Sequence, residues 1–286
     1  MALSDKTLTQ YNQEGIFPLP NEGEEAFYKR VMDLEKGAKA FFQQAKEPPP
    51  FPLIEQVPYH DWDFSKANIR RLFDVVPSWI AAYYSKKSLA PWQLGMTWIF
   101  EEKSLSLFYT LIQVRTRGKK EEVLAHEAVH AIRAPLGSHK YEELFAYMTS
   151  ESPVRQIFGA IFEEPYESRA FVAFLMLFFA STLLFPSAAF LQAKVFGILL
   201  GTALFGGLAR LFFRKKALNQ AYKALKNLPL SSKNALAILF RLRDEEIDFL
   251  KTCSREEIRE FVFTKKRKDL RWKQIFVSYL KEVNWS

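Results

Sequence analysis

The sequence predicts an α+β domain built on a small sheet and one chemically distinctive helix, followed by a two-helix transmembrane hairpin and a small all-α C-terminal module. Three observations carry this. Two neighbouring runs, "LGMTWIFE" (94–101) and "LSLFYTLIQVR" (105–115), are aromatic and β-branched in the manner of paired strands. Between Ala170 and Phe213 only Lys194 and Arg210 carry charge. Beyond residue 230 the chain reads as short capped helices with apolar spacings of three and four. The corresponding segments are 1–60 (a helical extension and Pro-rich connector), 61–168 (the α+β domain), 169–216 (the hairpin) and 217–286 (the basic helical module).

In chain order, residues 22–46 place Phe27, Val31, Leu34, Ala38, Phe41 and Phe42 at helical spacing, with Glu24 and Glu25 in the first turn where the helix dipole favours them. "KEPPPFPLIEQVP" ends that helix, because consecutive prolines cannot continue it, and forms a stiff connector. A second helix is expected from Asp63 to Tyr84, broken or kinked at Pro77. Residues 102–104 then separate the two strands. Arg117 to Lys120 closes them, and a helix opens at Glu121.

The stretch from Ala170 to Ala193 is uncharged and long enough to cross a hydrocarbon core of about 30 Å. The second, Val195 to Phe213, is flanked by Lys194 and by Arg214-Lys215-Lys216, so the hairpin is expected to turn between Pro186 and Lys194. Apolar residues run all round both segments rather than along one stripe, which disfavours a buried helical pair in a soluble core. Basic residues cluster at the two ends of the hairpin, which predicts an integral protein of a bacterial inner membrane with both termini cytoplasmic. One cysteine, Cys253, excludes an internal disulfide.

The net charge of +8 is unevenly placed: residues 214–286 hold 18 Lys or Arg against 9 Asp or Glu, whereas residues 1–213 are nearly neutral. That bias suits anionic headgroups. Nucleic acid is the rival partner for a basic tail, but the tail carries no base-reading signature. In the tail, Ser231 caps "SSKNALAILF", and Ser254-x-x-Glu257 spells a capping box.

Three of the four histidines, His126, His130 and His139, fall in or just after "VLAHEAVHAI" (123–132). On a helix, His126 and His130 lie one turn apart on one face, where both imidazoles reach a single Zn2+. Glu127 is adjacent and can contact a water on the metal as general base. The surrounding Val, Leu, Ala and Ile allow the other faces to be buried, which keeps such ligands rigid. A catalytic zinc needs a third protein ligand and an open position. The three-histidine continuation is excluded, since Arg133 and Leu136 stand where its Gly and third His belong. The next helix, "KYEELFAYMTS", offers Glu142 and Glu143.

Here the chain resembles the gluzincin clan of zinc metallopeptidases, in which a Glu on the following helix, often within Glu-x-x-Ala, is the third ligand. Glu143-Leu144-Phe145-Ala146 fits that pattern, so the resemblance implies Glu143 as the third ligand, with Glu142 as the fallback. Membrane-spanning members often carry an Asp after the Ala to support a ligand histidine, where this chain has Tyr147. The resemblance covers roughly residues 60–165 and implies a zincin-like fold, in which a strand beside the active-site helix pairs with extended substrate. The linker of 12 residues between His130 and Glu143 implies a minimal version. Tyr147, His139 and Arg133 are the candidates to steady an oxyanion.

The expected function is therefore that of a membrane-anchored, cytoplasm-facing zinc metalloendopeptidase. It would hydrolyse peptide bonds with a zinc-activated water, acting on a peptide or membrane-protein substrate beside the lipid bilayer. Two other readings compete: a catalytically silent membrane scaffold of the same fold, and a membrane-tethered regulator whose basic module binds a partner or nucleic acid. The metal site itself is expected outside the bilayer, because Glu121, Glu122 and Arg133 bracket it. Residues 1–60 are a candidate inhibitory segment across the cleft.

Overall fold

The computed structural model describes residues 3–45, 48–102, 107–116, 120–162 and 165–285. The architecture is mixed α and β. Helix α1 (Asp5–Gln13) is capped by Ser4, and α2 (Glu24–Glu35) and α3 (Gly37–Gln44) follow. The single helix expected over 22–46 is thus two, broken where Gly37 takes a left-handed φ of 81°.

A second difference follows. Helix α4 (Asp63–Phe73) stops at Asp74, whose φ of 57° is left-handed, and residues expected to continue it instead form strand β1 (Ala81–Tyr84). Asp is among the few non-Gly residues that adopt this conformation readily. Strands β2 (Gly95–Glu102) and β3 (Leu107–Val114) are the antiparallel pair read from the sequence. Of the turn expected at residues 102–104, Glu102 ends β2 and residues 103–104 lie outside the described residues, as do residues 117–119 of the segment expected to close the strands. The sheet order is β1-β3-β2, with β1 parallel to β3. Residues 55–57 cover the far edge of β1 through Val57 N–H to Ala82 O and Tyr84 N–H to Glu55 O. The outer edge of β2 has no backbone partner among the described residues.

Strand alternation sends Phe100 and Tyr109 to one face, where Phe41 and Phe42 of α3 pack on them, and Gly95, Thr97 and Ile112 to the other. That second face receives α5 (Lys120–Arg133). Three alanines and Leu124 favour helix there, and Glu121 and Glu122 occupy its first turn. The helix ends before Pro135, with Gly137 left-handed at φ 60°. Leu124, Val129 and Ile132 of α5 are fully buried, each contributing roughly 1.5–3 kcal/mol by leaving water.

After α6 (Glu142–Met148) and a short α7 (Pro153–Phe158) come α8 (Pro165–Leu184) and the long α9 (Ala189–Lys226). Both are long and apolar enough to cross a membrane, and their apolar windows are 0% and 6% buried, so they are not core helices of the folded part. The turn is a single 3-10 segment at Pro186–Ala188, which moves Lys194 from the expected loop into α9. Beyond Phe213 the same helix continues into the folded body, where Leu218, Ala221 and Leu225 are buried.

Helices α10 (Ser232–Phe240), α11 (Asp244–Leu250), α12 (Arg255–Lys265) and α13 (Leu270–Ile275) follow, and a π-helical turn at Phe276–Leu280 continues α13. The Ser231 cap and the Ser254–Glu257 capping box are present as read. This module packs on the N-terminal segment rather than standing apart. Asn12 accepts from Arg241 and donates to Tyr279, Gln274 donates to Ile16 O, and Lys273 meets Glu24. One hydrophobic cluster runs from Leu3 to Leu280.

Candidate metal centre

His126 and His130 project from the same face of α5 with their Nε2 atoms 3.3 Å apart. Helix α6 turns back across them and brings Glu143, whose carboxylate oxygens lie 3.6 Å from His126 Nε2 and 3.5 Å from His130 Nε2. Ligands about 2.0–2.1 Å from a tetrahedral zinc stand about 3.3 Å apart. Each imidazole faces a different Glu143 oxygen, and one donor atom from each of the three residues lies within 4.8 Å of the others, so the donor set fits such an ion.

Glu142 is not a third ligand in this arrangement. Its Oε1 lies 2.5 Å from His130 Nδ1, the nitrogen that faces away from the metal position. Its other oxygen is 3.8 Å from exposed His139. A carboxylate on the far nitrogen of a ligand histidine fixes ring orientation and tautomer. The Ala146 backbone is a hydrogen-bond partner of His126. Tyr147 packs its ring edge-on to His126 at 4.7 Å.

Electrostatics favour a cation. Burial opposes charge on His130, yet the hydrogen bond with Glu142 and the charges of Glu143, Glu142 and Glu127 hold its pKa up to about 10. Burial, with His130 and Arg155 nearby, keeps His126 well below the usual histidine range, so it is neutral and able to donate a lone pair. Burial raises the Glu127 carboxyl, against the opposing influence of His130 and of Thr97. Thr97 Oγ1 lies 2.9 Å from both the Glu127 carbonyl and its Oε2, which anchors this side chain to β2.

The site opens into a cleft of about 410 Å³ bordered by Met96, Thr97 and Ile99 of β2, by Tyr147, and by Phe162 and Ser168 at the hairpin base. A smaller polar recess on the other side of His126 contains Trp92 and Arg155. No residue from the described part of 1–60 lines either.

Of the oxyanion candidates, Tyr147 borders the cleft and His139 stands exposed on its rim. Arg133 is excluded. It is fully buried, donates to the carbonyls of Phe240 and Leu242, and lies over the Phe145 ring. Sequence reasoning did not anticipate Thr97 or Glu122. Glu122 is buried at the start of α5 and accepts from Ser150 Oγ and from the Glu151 N–H, tying α5 to the end of α6.

Compared with known proteins, the chain matches no family model, no curated protein and no solved structure.

Proposed function

We propose that the protein is a membrane-anchored zinc metallopeptidase with a zincin-like catalytic domain. His126, His130 and Glu143 hold the metal, and Glu127 handles the proton. The observation that carries this reading is the convergence of three ligand-type atoms beside the partly buried Glu127 carboxyl of raised pKa, in a cleft bordered by a strand edge with no backbone partner among the described residues.

When bound, a divalent metal at this position supplies Lewis-acid polarisation of a peptide carbonyl and of water. The chain's own residues supply the rest. Glu127, aimed by Thr97, accepts a proton from water in the cleft and can return it to the departing amine. Its raised pKa brings it closer to the operating pH, which suits both halves of that exchange. The outer edge of β2 offers backbone groups from Met96 to Ile99, so an extended substrate adds as a strand with little demand on its sequence. This reading keeps the resemblance to gluzincins at the two-histidine helix and at Glu143, with Glu142 as the support for the ligand His130.

The hairpin is the anchor. Both of its ends enter one folded body, so a spanning hairpin leaves that body on a single side of the bilayer. Arg214, Lys215 and Lys216 at the exit of α9 support a cytoplasmic placement of that body by the positive-inside rule. Substrates are then peptides or membrane proteins presented near the lipid surface, where tethering raises their effective concentration.

The test is elemental analysis of detergent-purified wild type, His126→Ala, Glu127→Ala and Glu143→Ala, with hydrolysis of an unfolded protein measured alongside. Near-stoichiometric zinc is expected in wild type and Glu127→Ala and not in the other two, with hydrolysis in wild type alone. No metal in any form, even after reconstitution, overturns the proposal.

A further inference from the structure

Helix α7 has no buried residue, and Val154, Ile157 and Phe158 present their side chains outward at 65%, 50% and 48% exposure. The chain continues with exposed Phe162 and Tyr166. Such a run on a folded body requires a covering.

Its height along α9 says what covers it. Lys215 donates to the last-turn carbonyls of α7, at Gln156 and Ile157, over 3.0 and 2.7 Å. Arg210 donates to Ile161 O over 2.9 Å and pairs with Glu167 at 2.7 Å. Gly207 allows the closest approach, since a Cβ there would stand 3.2 Å from Ile161 Cγ2. The apolar stretch of α9 ends at Phe213, so Gly207 lies six residues inside it, about 9 Å along the axis. The turn at Ile161 is therefore pinned beside the last turns of the membrane-compatible stretch, and α7 is held at its exit, level with Lys215. Phe162 meets the Phe171 ring of α8 at 5.3 Å, which joins the exposed apolar residues of α7 to those of the hairpin, and exposed Lys216 flanks them as a headgroup partner does. The Ile161 carbonyl, which lipid could not satisfy, is the one that Arg210 takes up.

We propose that α7 and the turn through Phe162 seat in the interfacial layer of the bilayer, and that the cleft consequently opens at the lipid surface. The inference rests on the hairpin spanning the membrane, and deepens the peptidase reading by naming its substrate class. Phe162 borders both the cleft and an apolar groove of about 480 Å³ between α8 and α9. A chain segment leaving the bilayer meets the outer edge of β2 without first crossing open water, so the substrates are membrane proteins cut close to where they exit the lipid.

The test places an environment-sensitive fluorophore on single cysteines in the full chain, with Cys253→Ser as background, in vesicles of phosphatidylcholine and phosphatidylglycerol. The probe positions are Ile157→Cys and Phe158→Cys. Leu199→Cys, within α9, is the deep reference, and Glu245→Cys, exposed on α11, is the aqueous one. Emission at 157 and 158 is expected to shift to the blue of Glu245→Cys, with quenching by lipids brominated near the headgroup. At 199, lipids brominated deeper in the chains are expected to quench best. Probes at 157 and 158 that behave like Glu245→Cys while 199 is quenched overturn the inference. A blue shift that no brominated lipid quenches also overturns it, because protein and not lipid then covers α7. An unquenched 199 removes the hairpin reading and the inference with it. Zinc content of the same vesicles reports on the peptidase reading separately, since the fluorescence requires neither metal nor turnover.

Discussion

The Glu142 carboxylate lies 2.5 Å from Nδ1 of His130, while Glu143, its neighbour in sequence, faces Nε2 of the same ring at 3.5 Å. Two adjacent acids thus address opposite nitrogens of one histidine. Their roles separate by experiment. Glu143→Gln removes a charged donor and should abolish stoichiometric metal. Glu142→Gln leaves all three donors in place and should weaken affinity about 10–100-fold, the usual cost of losing such a support. Chelator competition on the two variants measures both, and equal losses would show that the two acids share one role.

Glu127 is held by Thr97 on β2. On the proposed reading, replacing it with Gln removes the proton acceptor but no metal donor. Hydrolysis should fall by about 10²–10⁴ with metal content unchanged. Thr97→Val keeps the acid and removes its anchor, so its rate should lie between those of wild type and Glu127→Gln. Steady-state hydrolysis beside elemental analysis checks the ordering. A Thr97→Val enzyme as slow as Glu127→Gln would mean that the hydroxyl does more than orient.

Much of this site was legible in the sequence, because His126 and His130 sit one turn apart on a helix whose other residues ask to be buried. The division of labour between Glu142 and Glu143 was not. Adjacent helical positions differ by about 100° in direction, and which one faces α5 depends on how α6 returns across it. Arg133 shows the same limit. A charge at a helix end reads as a rim residue, yet it is buried by Phe145 and by carbonyls more than a hundred residues downstream. Strand β1 escaped notice because it is four residues long and exists by pairing with β3, far along the chain. The hairpin was readable from composition alone. The continuation of α9 into the core was not, because its basic cluster reads as an end.

Gly159 carries a packing requirement for the site. A Cβ at that position would stand 2.2 Å from Tyr147 Cδ1, and the Tyr147 ring lies against His126. Gly159→Ala must therefore displace the ring or the backbone, a change expected to cost about 1–3 kcal/mol. The melting midpoint in detergent should fall and metal binding should weaken. In a Tyr147→Leu background the same substitution should cost less, because part of the clash is gone. An unchanged cost in that background would place the strain elsewhere.

The C-terminal module should govern acid stability through Glu246. Burial alone would raise its pKa, but the charge and hydrogen bond of Arg271, the N–H of Arg243 and the indole of Trp272 outweigh burial and lower it. A carboxylate whose pKa is depressed by folding stabilises the protein above its unfolded value, about 4.3, and that contribution is lost as pH falls through the lower folded value. Arg271 is fully buried and Asp269 is its second acidic partner, so removing the Glu246 charge leaves it only partly compensated. Glu246→Gln should therefore destabilise the protein by roughly 3 kcal/mol at neutral pH. The gap to wild type should hold down to about pH 4 and narrow below it, as wild-type Glu246 takes up its own proton. Melting midpoints of the two proteins in detergent across this range measure the gap. A gap that stays constant below pH 4 would show that the ion pair contributes nothing through its charge.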